Sequence, residues 1–247
     1  MIFTIAYKEF RSLLATPSTW LILGALQFIF AWFFLARLDA FLQVQAQLAQ
    51  LANAPGATQA VAVPLFGTIA LIMMLLVPIF TMRMIAEERR NHTLTLLMTA
   101  PVSGRHIVLG KFLGLLLFLL LIIACCLSMV LALAAGTQLD RGLLLSNALG
   151  LLLLTAAYAA LGLYISSLTA QPMVAAIASL AALFGLWLME VSAVDSGSAW
   201  RALTPTSHFE SFNSGLLNSG DLVFFLLFCA IFLLLAMRRL HNNRIYG

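Results

Sequence analysis

Few residues in this chain have the types and spacing that chemistry needs. His208 and Glu210, with Asp195 further upstream, come closest to a metal-ligand set. Residues two apart on a helix point to different faces, and no second histidine lies near, so no metal is expected here. A hydrogen-bonded cap is the better reading, since a buried imidazole needs a partner. Gly104-R-H-I-V-L-Gly110-Lys111-Phe112 resembles a phosphate loop. That loop needs four residues between its glycines and Ser or Thr after the Lys; here there are five, then Phe112. The sequence holds no other nucleotide fingerprint, so ATP, if used, binds elsewhere. What remains is docking chemistry. The stretch Arg83 to Lys111 carries five of the thirteen Lys and Arg residues and two of the nine acids. Its pattern predicts a helix from about Glu87 to about Met98. Glu87 and Glu88 would sit in the first turn, where the helix dipole favours acids. Leu94, Leu97 and Met98 share one face, Arg89 and Arg90 give a basic flank, and Pro101 ends the rod. A short helix with an apolar knob suits a groove on another protein. Left in water, Leu94, Leu96, Leu97 and Met98 would form a sticky patch.

The elements that must position this segment are membrane spans. Of the 247 residues, 63% are hydrophobic and 9% charged, and the mean hydropathy is +1.05. A soluble domain carries about 25% charged residues. Too few polar groups exist to cover a globular surface, so the chain reads as a polytopic membrane protein. Cys125, Cys126 and Cys229 fall inside apolar runs and read as small packing residues. No signal peptide is expected, because Glu9 lies in the would-be basic region and the run from Ser18 to Ala36 is too long.

Six apolar runs approach the roughly 20 residues a helical span needs: Ser18–Ala36, Val63–Met82, Phe112–Ala135, Leu143–Leu168, Pro172–Met189 and Leu222–Met237. Pro64 can open a helix, whereas Pro78 is interior and predicts a kink. No span has an acidic or basic residue at mid-depth, which disfavours an ion-coupled transporter. Gln27, Thr155 and Tyr158 are the main polar groups inside the spans, and such groups serve chiefly to join helices.

Basic residues set the orientation. With both termini inside, the inner segments hold Lys8, Arg11, Arg83, Arg89, Arg90, Arg105, Lys111, Arg238, Arg239 and Arg244. Only Arg37, Arg141 and Arg201 fall outside. Ten basic residues less Glu9, Glu87 and Glu88 leave +7 inside, and the outer segments carry −3, which together give the net +4. The basic balance therefore reflects topology and anionic lipid, and no nucleic-acid partner is expected.

Residues 2–14 form an amphipathic pattern, with Phe3, Ala6, Phe10, Leu13 and Leu14 opposite Thr4, Lys8, Arg11 and Ser12. This predicts a helix in the interface plane. Residues 37–62 read as an outer loop with a short helix over Leu38, Leu42, Gln45, Leu48 and Leu51 before a break at Asn53–Gly56. Residues 190–221 read as an outer cap. Pro205 and Gly215 bracket a short helix there, and Trp200, Phe209 and Phe212 suit an aromatic interface belt or contact with neighbouring spans.

Two local motifs resemble a known family. Ile85, Glu87, Glu88, Arg89, Thr93, Leu94, Leu96, Leu97, Thr99, Pro101, Val102, Ser103, Gly110 and Lys111 resemble the loop between spans 2 and 3 of ABC-2 type transporter permeases. The stretch L-T-P-T-S-H-F-E-S-F-N-S-G-L-L from Leu203 to Leu217 is similar to the branch with the gliding-motility permease F and the nitrous-oxide-reductase maturation permease Y. Thr204 replaces that branch's usual Ser before Pro205. About fifty residues carry the specific likeness, within a six-span plan that covers most of the chain.

The resemblance implies an all-α polytopic domain over residues 1–247, in the bacterial inner membrane with both termini cytoplasmic. It implies an elbow helix at 1–16, a cytoplasmic coupling loop at 83–111 and a periplasmic cap at 190–221. The coupling residues would be Glu87, Glu88, Arg89, Arg90, Thr93, Leu94, Leu97, Met98 and Pro101. The cap residues would be Trp200, Pro205, His208, Phe209, Phe212 and Gly215. The implied partners are an ABC ATPase subunit that holds ATP and Mg, and a second permease copy or homologue. The chain itself would perform no covalent chemistry and hold no cofactor. The alternative is a mechanotransmitter, which passes ATP-driven motion to a periplasmic partner without moving a solute.

Overall fold

A computed structural model describes residues 1–48, 56, 58–91, 103–135, 139–192 and 201–246. Among them the regular structure is helical throughout: α1 (Ile2–Ala15), α2 (Pro17–Leu48), a π-helical stretch (Thr58–Ala62), α3 (Val63–Arg90), α4 (Gly104–Leu131), α5 (Arg141–Leu168), α6 (Pro172–Ser192), α7 (Pro205–Asn213) and α8 (Ser219–Tyr246). Six of these helices are long and apolar enough to cross a membrane. They are α2, α3, α4, α5, α6 and α8, in the order expected from the apolar runs.

Several helices outrun their apolar stretches. The helix containing Val63–Met82 continues to Arg90. Glu87 and Glu88 therefore lie in its last turns, not in the first turn of a separate rod. Nothing between Met82 and Arg90 breaks a helix, so backbone hydrogen bonding continues after hydropathy has fallen. Gly104 to Lys111 likewise form the first two turns of α4, which leaves no phosphate-loop geometry. The predicted 83–111 loop thus shrinks to the connection 91–103. The short helix expected after Leu38 is the uninterrupted end of α2. Thr93, Leu94, Leu97, Met98, Pro101, Asp195 and Trp200 lie outside the described residues.

The bundle is organised around α5 and α3. Of the apolar stretch of α5, 67% is buried inside the protein, and of α3, 56%; for α2 the share is 11%. Small residues make the centre possible, because they let backbones approach. A Cβ on Gly162 would lie 2.4 Å from Thr81 Oγ1, so α3 and α5 touch there with no room for a side chain. Next to it Ala156, Ala157, Ala159 and Ala160 are all buried. Phe80 and Phe118 meet edge to face at 4.8 Å and join α3 to α4. Pro78 lies inside α3, which is assigned as one helix through it.

The elbow helix α1 packs on the first turns of α4. Gly110 and Gly114, one helical turn apart, give it a smooth track. A Cβ at Gly110 would lie 2.7 Å from Ile5, and one at Gly114 would lie 2.7 Å from the Ala6 carbonyl oxygen. The stripe turned to the bundle includes Ile2, Ile5, Ala6 and Glu9 and continues through Phe10, Leu13 and Leu14, which pack against the core. Phe3, on the apolar face expected to lie in the membrane interface, is 81% exposed.

Candidate functional site: a buried clamp and an outer cap

The elbow end of the bundle holds an ion cluster. Lys111 follows Gly110 at the end of the second turn of α4, and its side chain is 1% exposed. Its Nζ donates to Glu9 Oε1 at 2.9 Å and to Glu88 Oε1 at 2.7 Å. Those carboxylates come from α1 and α3. A buried ammonium is costly unless paired and hydrogen-bonded, and here it has two partners. Lys8 reaches the same Glu9 oxygen at 4.0 Å from the exposed rim. The cluster clamps together the elbow helix and both roots of the 91–103 connection. Beside it lies a cavity of about 380 Å³ between α1, α2 and α3, lined by Glu87, Arg83 and Ser12 among others.

Ser166, near the end of α5, makes a second fastening. Its hydroxyl donates to the Met82 carbonyl at 3.1 Å and accepts from the Ala86 N–H at 3.1 Å. It also accepts from the Ile85 N–H at 3.3 Å. The hydroxyl has entered the backbone ladder of α3 just before the turns that carry Glu87 to Arg90. Insertions of this kind loosen a helix locally and permit bending. Arg89 donates to the Ser167 carbonyl at 3.3 Å, so the end of α3 is tied to α5 twice. Arg90 is exposed.

The cap is built from local signals. Pro205 starts α7 after Thr204, where its missing N–H costs nothing. Gly215 ends it with φ +86°. The Leu216 N–H donates to the Ser211 carbonyl and the Gly215 N–H to the Phe212 carbonyl, a paired closure that requires a left-handed residue at Gly215. His208 Nδ1 lies 2.6 Å from Asp221 Oδ1 on α8, and Nε2 lies 3.0 Å from the Ala202 carbonyl. The ring stacks on Phe224 at 3.9 Å. Glu210 points away and pairs with Arg201 at 3.1 Å. Thr206 donates to Glu190 on α6.

Phe209 and Phe212 do not form an interface belt. They are 3% and 1% exposed and pack inward, where Gly150 on α5 makes space. A Cβ on Gly150 would meet Phe212 Cβ at 2.4 Å. Ser146 donates to the Phe212 carbonyl at 2.8 Å. Asn147, with its amide nitrogen turned to the cap, donates to the Phe212 and Asn213 carbonyls at 3.0 Å each. Asn213 in turn donates to the Val63 carbonyl at 3.1 Å. The last carbonyls of α7 are therefore held by α5, and its last residue by α3.

Sequence reasoning placed Glu88, Arg89, Pro205, His208 and Gly215 at these two ends. It missed Glu9 and Lys111 as partners, Ser166 as an insertion, and Ser146 and Asn147 as anchors. One signal was available: the Gly110-x-x-x-Gly114 spacing marks a close helix contact, and Lys111 sits inside it. The fold and both ends define a class, a polytopic helical membrane protein with a charged clamp at one face and a closed cap at the other. The family model for ABC-2 family transporter proteins matches residues 3–244. The chain belongs to the ABC-2 transporter family. No curated protein matches it.

Proposed function

We propose that this chain is the membrane-spanning subunit of an ATP-driven complex, in which a separate ABC ATPase holds ATP and Mg and two permease subunits form the membrane part. The observation that carries the reading is the Lys111 clamp. It joins Glu9 and Glu88, at 2.9 and 2.7 Å, to the helix that follows the 91–103 connection. A push on that connection is then passed to α1, α3 and α4 as one rigid body, and the spans switch between two packings. Leu94, Leu97, Met98 and Pro101 would supply the surface that meets the ATPase, with Glu87, Arg89, Arg90 and Thr93 around it. The basic excess supports a cytoplasmic placement of this face, and the family resemblance supports the bacterial inner membrane. The cap motif, Thr204 through Gly215 with His208, Phe209 and Phe212, supports the branch of the gliding-motility and nitrous-oxide-reductase maturation permeases.

The test is direct. Affinity-tagged chain drawn from its native membrane in mild detergent should carry vanadate-sensitive ATP hydrolysis. Leu97→Arg should insert normally and lose that hydrolysis, since a charge forced into a dry contact is costly. Equal hydrolysis in both preparations would refute docking at this loop.

A mechanotransmitter is a second reading with its own support. α5 holds α3 through Ser166 at one end and the cap through Ser146 at the other. Motion at the clamp face would therefore reach a periplasmic protein resting on the cap. Reconstituted complex that hydrolyses ATP only when such a protein is present, and moves no solute, would favour it over transport.

A further inference from the structure

A groove of about 1080 Å³ runs between the end of α3 and the start of α6, and it shares Ile79, Arg83 and Glu87 with the cavity beside the elbow helix. Its upper wall carries Arg83, Arg89 and Arg90, against the single acid Glu87. Three guanidinium groups and one carboxylate leave the wall at about +2 by Coulombic sign alone. Arg89 spends one N–H on the Ser167 carbonyl. Arg83 and Arg90 are exposed and make no hydrogen bond or ion pair with another described residue. The lower wall is apolar and open to the side. Met173 is 75% exposed, Ile177 64% and Ile79 40%, and all three line the same groove. They belong to α3 and α6, which are long and apolar enough to cross a membrane. Positive groups at the level where the spans end, above an apolar trough that faces lipid, match an amphiphile with an anionic head.

We propose that this groove is a binding site for one anionic phospholipid per chain. The phosphate would sit between Arg83 and Arg90, with Arg89 held at its side by Ser167, and an acyl chain would lie along Ile79, Met173 and Ile177. Arginine suits this role because its planar fork gives paired donors to phosphate oxygens. Excess charge at the headgroup level selects anionic over zwitterionic lipid, at roughly 1 kcal/mol per basic residue. The bound lipid would brace the end of α3 against α6. The site rests on the membrane placement and not on ATPase docking, so it is tested on the purified chain without an ATPase.

The experiment is native mass spectrometry of delipidated protein titrated with phosphatidylglycerol, phosphatidylethanolamine or inorganic phosphate. Wild type should retain one phosphatidylglycerol per chain in preference to phosphatidylethanolamine. Arg83→Gln/Arg90→Gln should weaken that retention about 30-fold. Both side chains are exposed and have no hydrogen bond or ion pair among the described residues, so the variant should elute and melt as wild type does. Arg83→Lys/Arg90→Lys should keep most of the preference. Arg238→Gln/Arg239→Gln, at the same end of the bundle on α8 but outside the groove, should change nothing. Equal phosphatidylglycerol retention in the Gln double variant would overturn the site, as would equal binding of phosphatidylethanolamine by wild type. Displacement of the lipid by inorganic phosphate at equal concentration would show a free-anion site instead. A cysteine at Ile177 that cross-links to a second copy, in protein that retains no lipid, would assign the groove to the subunit interface.

Discussion

Lys111→Met should loosen the elbow end of the bundle, and the size of the effect follows from the clamp. The Lys111 side chain is 1% exposed, while those of Glu9 and Glu88 are 13% and 20% exposed. Methionine fills much of the same volume but leaves two largely buried carboxylates around an apolar side chain. Removing one partner of a buried pair costs about 3–5 kcal/mol. The residual exposure of Glu9 and Glu88 lets water reach them, which places the expected loss near the lower end, about 3 kcal/mol. For a chain of this size each kcal/mol shifts the midpoint by about 2–4 °C, so the melting temperature in detergent should fall by about 6–12 °C. The same physics predicts a rescue. Lys111→Met/Glu9→Gln/Glu88→Gln removes all three charges and should recover most of the loss, because neutral replacement of a buried ion cluster is tolerated. Thermal unfolding of the three purified proteins, followed by fluorescence-detected size exclusion, checks both statements. A single variant that melts with wild type would show that the clamp carries no strain-bearing role. A triple variant that falls as far as the single one would show that the loss comes from packing and not from weakened charge compensation.

Other outcomes test the remaining contacts. Gly150→Ala should drive a methyl group into Phe212 at the 2.4 Å approach and cost about 1–3 kcal/mol; limited proteolysis should then cut more readily within Thr204–Leu216, and an unchanged cleavage pattern would contradict the packing. Ser166→Ala should remove the hydroxyl inserted between the Met82 carbonyl and the Ala86 N–H, at about 1 kcal/mol. Hydrogen exchange at Ile85 and Ala86 is the readout, and unaltered rates at both would count against the insertion. In a background without native cysteines, Asn91→Cys should resist a membrane-impermeant thiol reagent in intact cells while Asn218→Cys reacts. The reverse labelling would invert the orientation drawn from the basic residues.

The six spans and the cap helix were legible because their causes are local. A run of roughly 20 apolar residues is a span wherever it falls, and Pro205 and Gly215 start and stop α7 through their own backbone constraints. Hydropathy located each span but not each helix end. The charged residues from Arg83 to Arg90 are good helix formers, so α3 continues through Arg90 and puts Glu88 beside the bundle. Only the tertiary structure could pair Lys111 with Glu9, 102 residues away, or turn Phe209 and Phe212 inward onto Gly150. A charge in a sequence shows that a partner is needed; which partner it finds depends on helices that meet only once the bundle has packed. The amphipathic pattern of α1 shows the same divide. Its periodicity predicted a helix, but the glycine track on α4 chose the face, because Ile5 and Ala6 fit where Gly110 and Gly114 have no side chains.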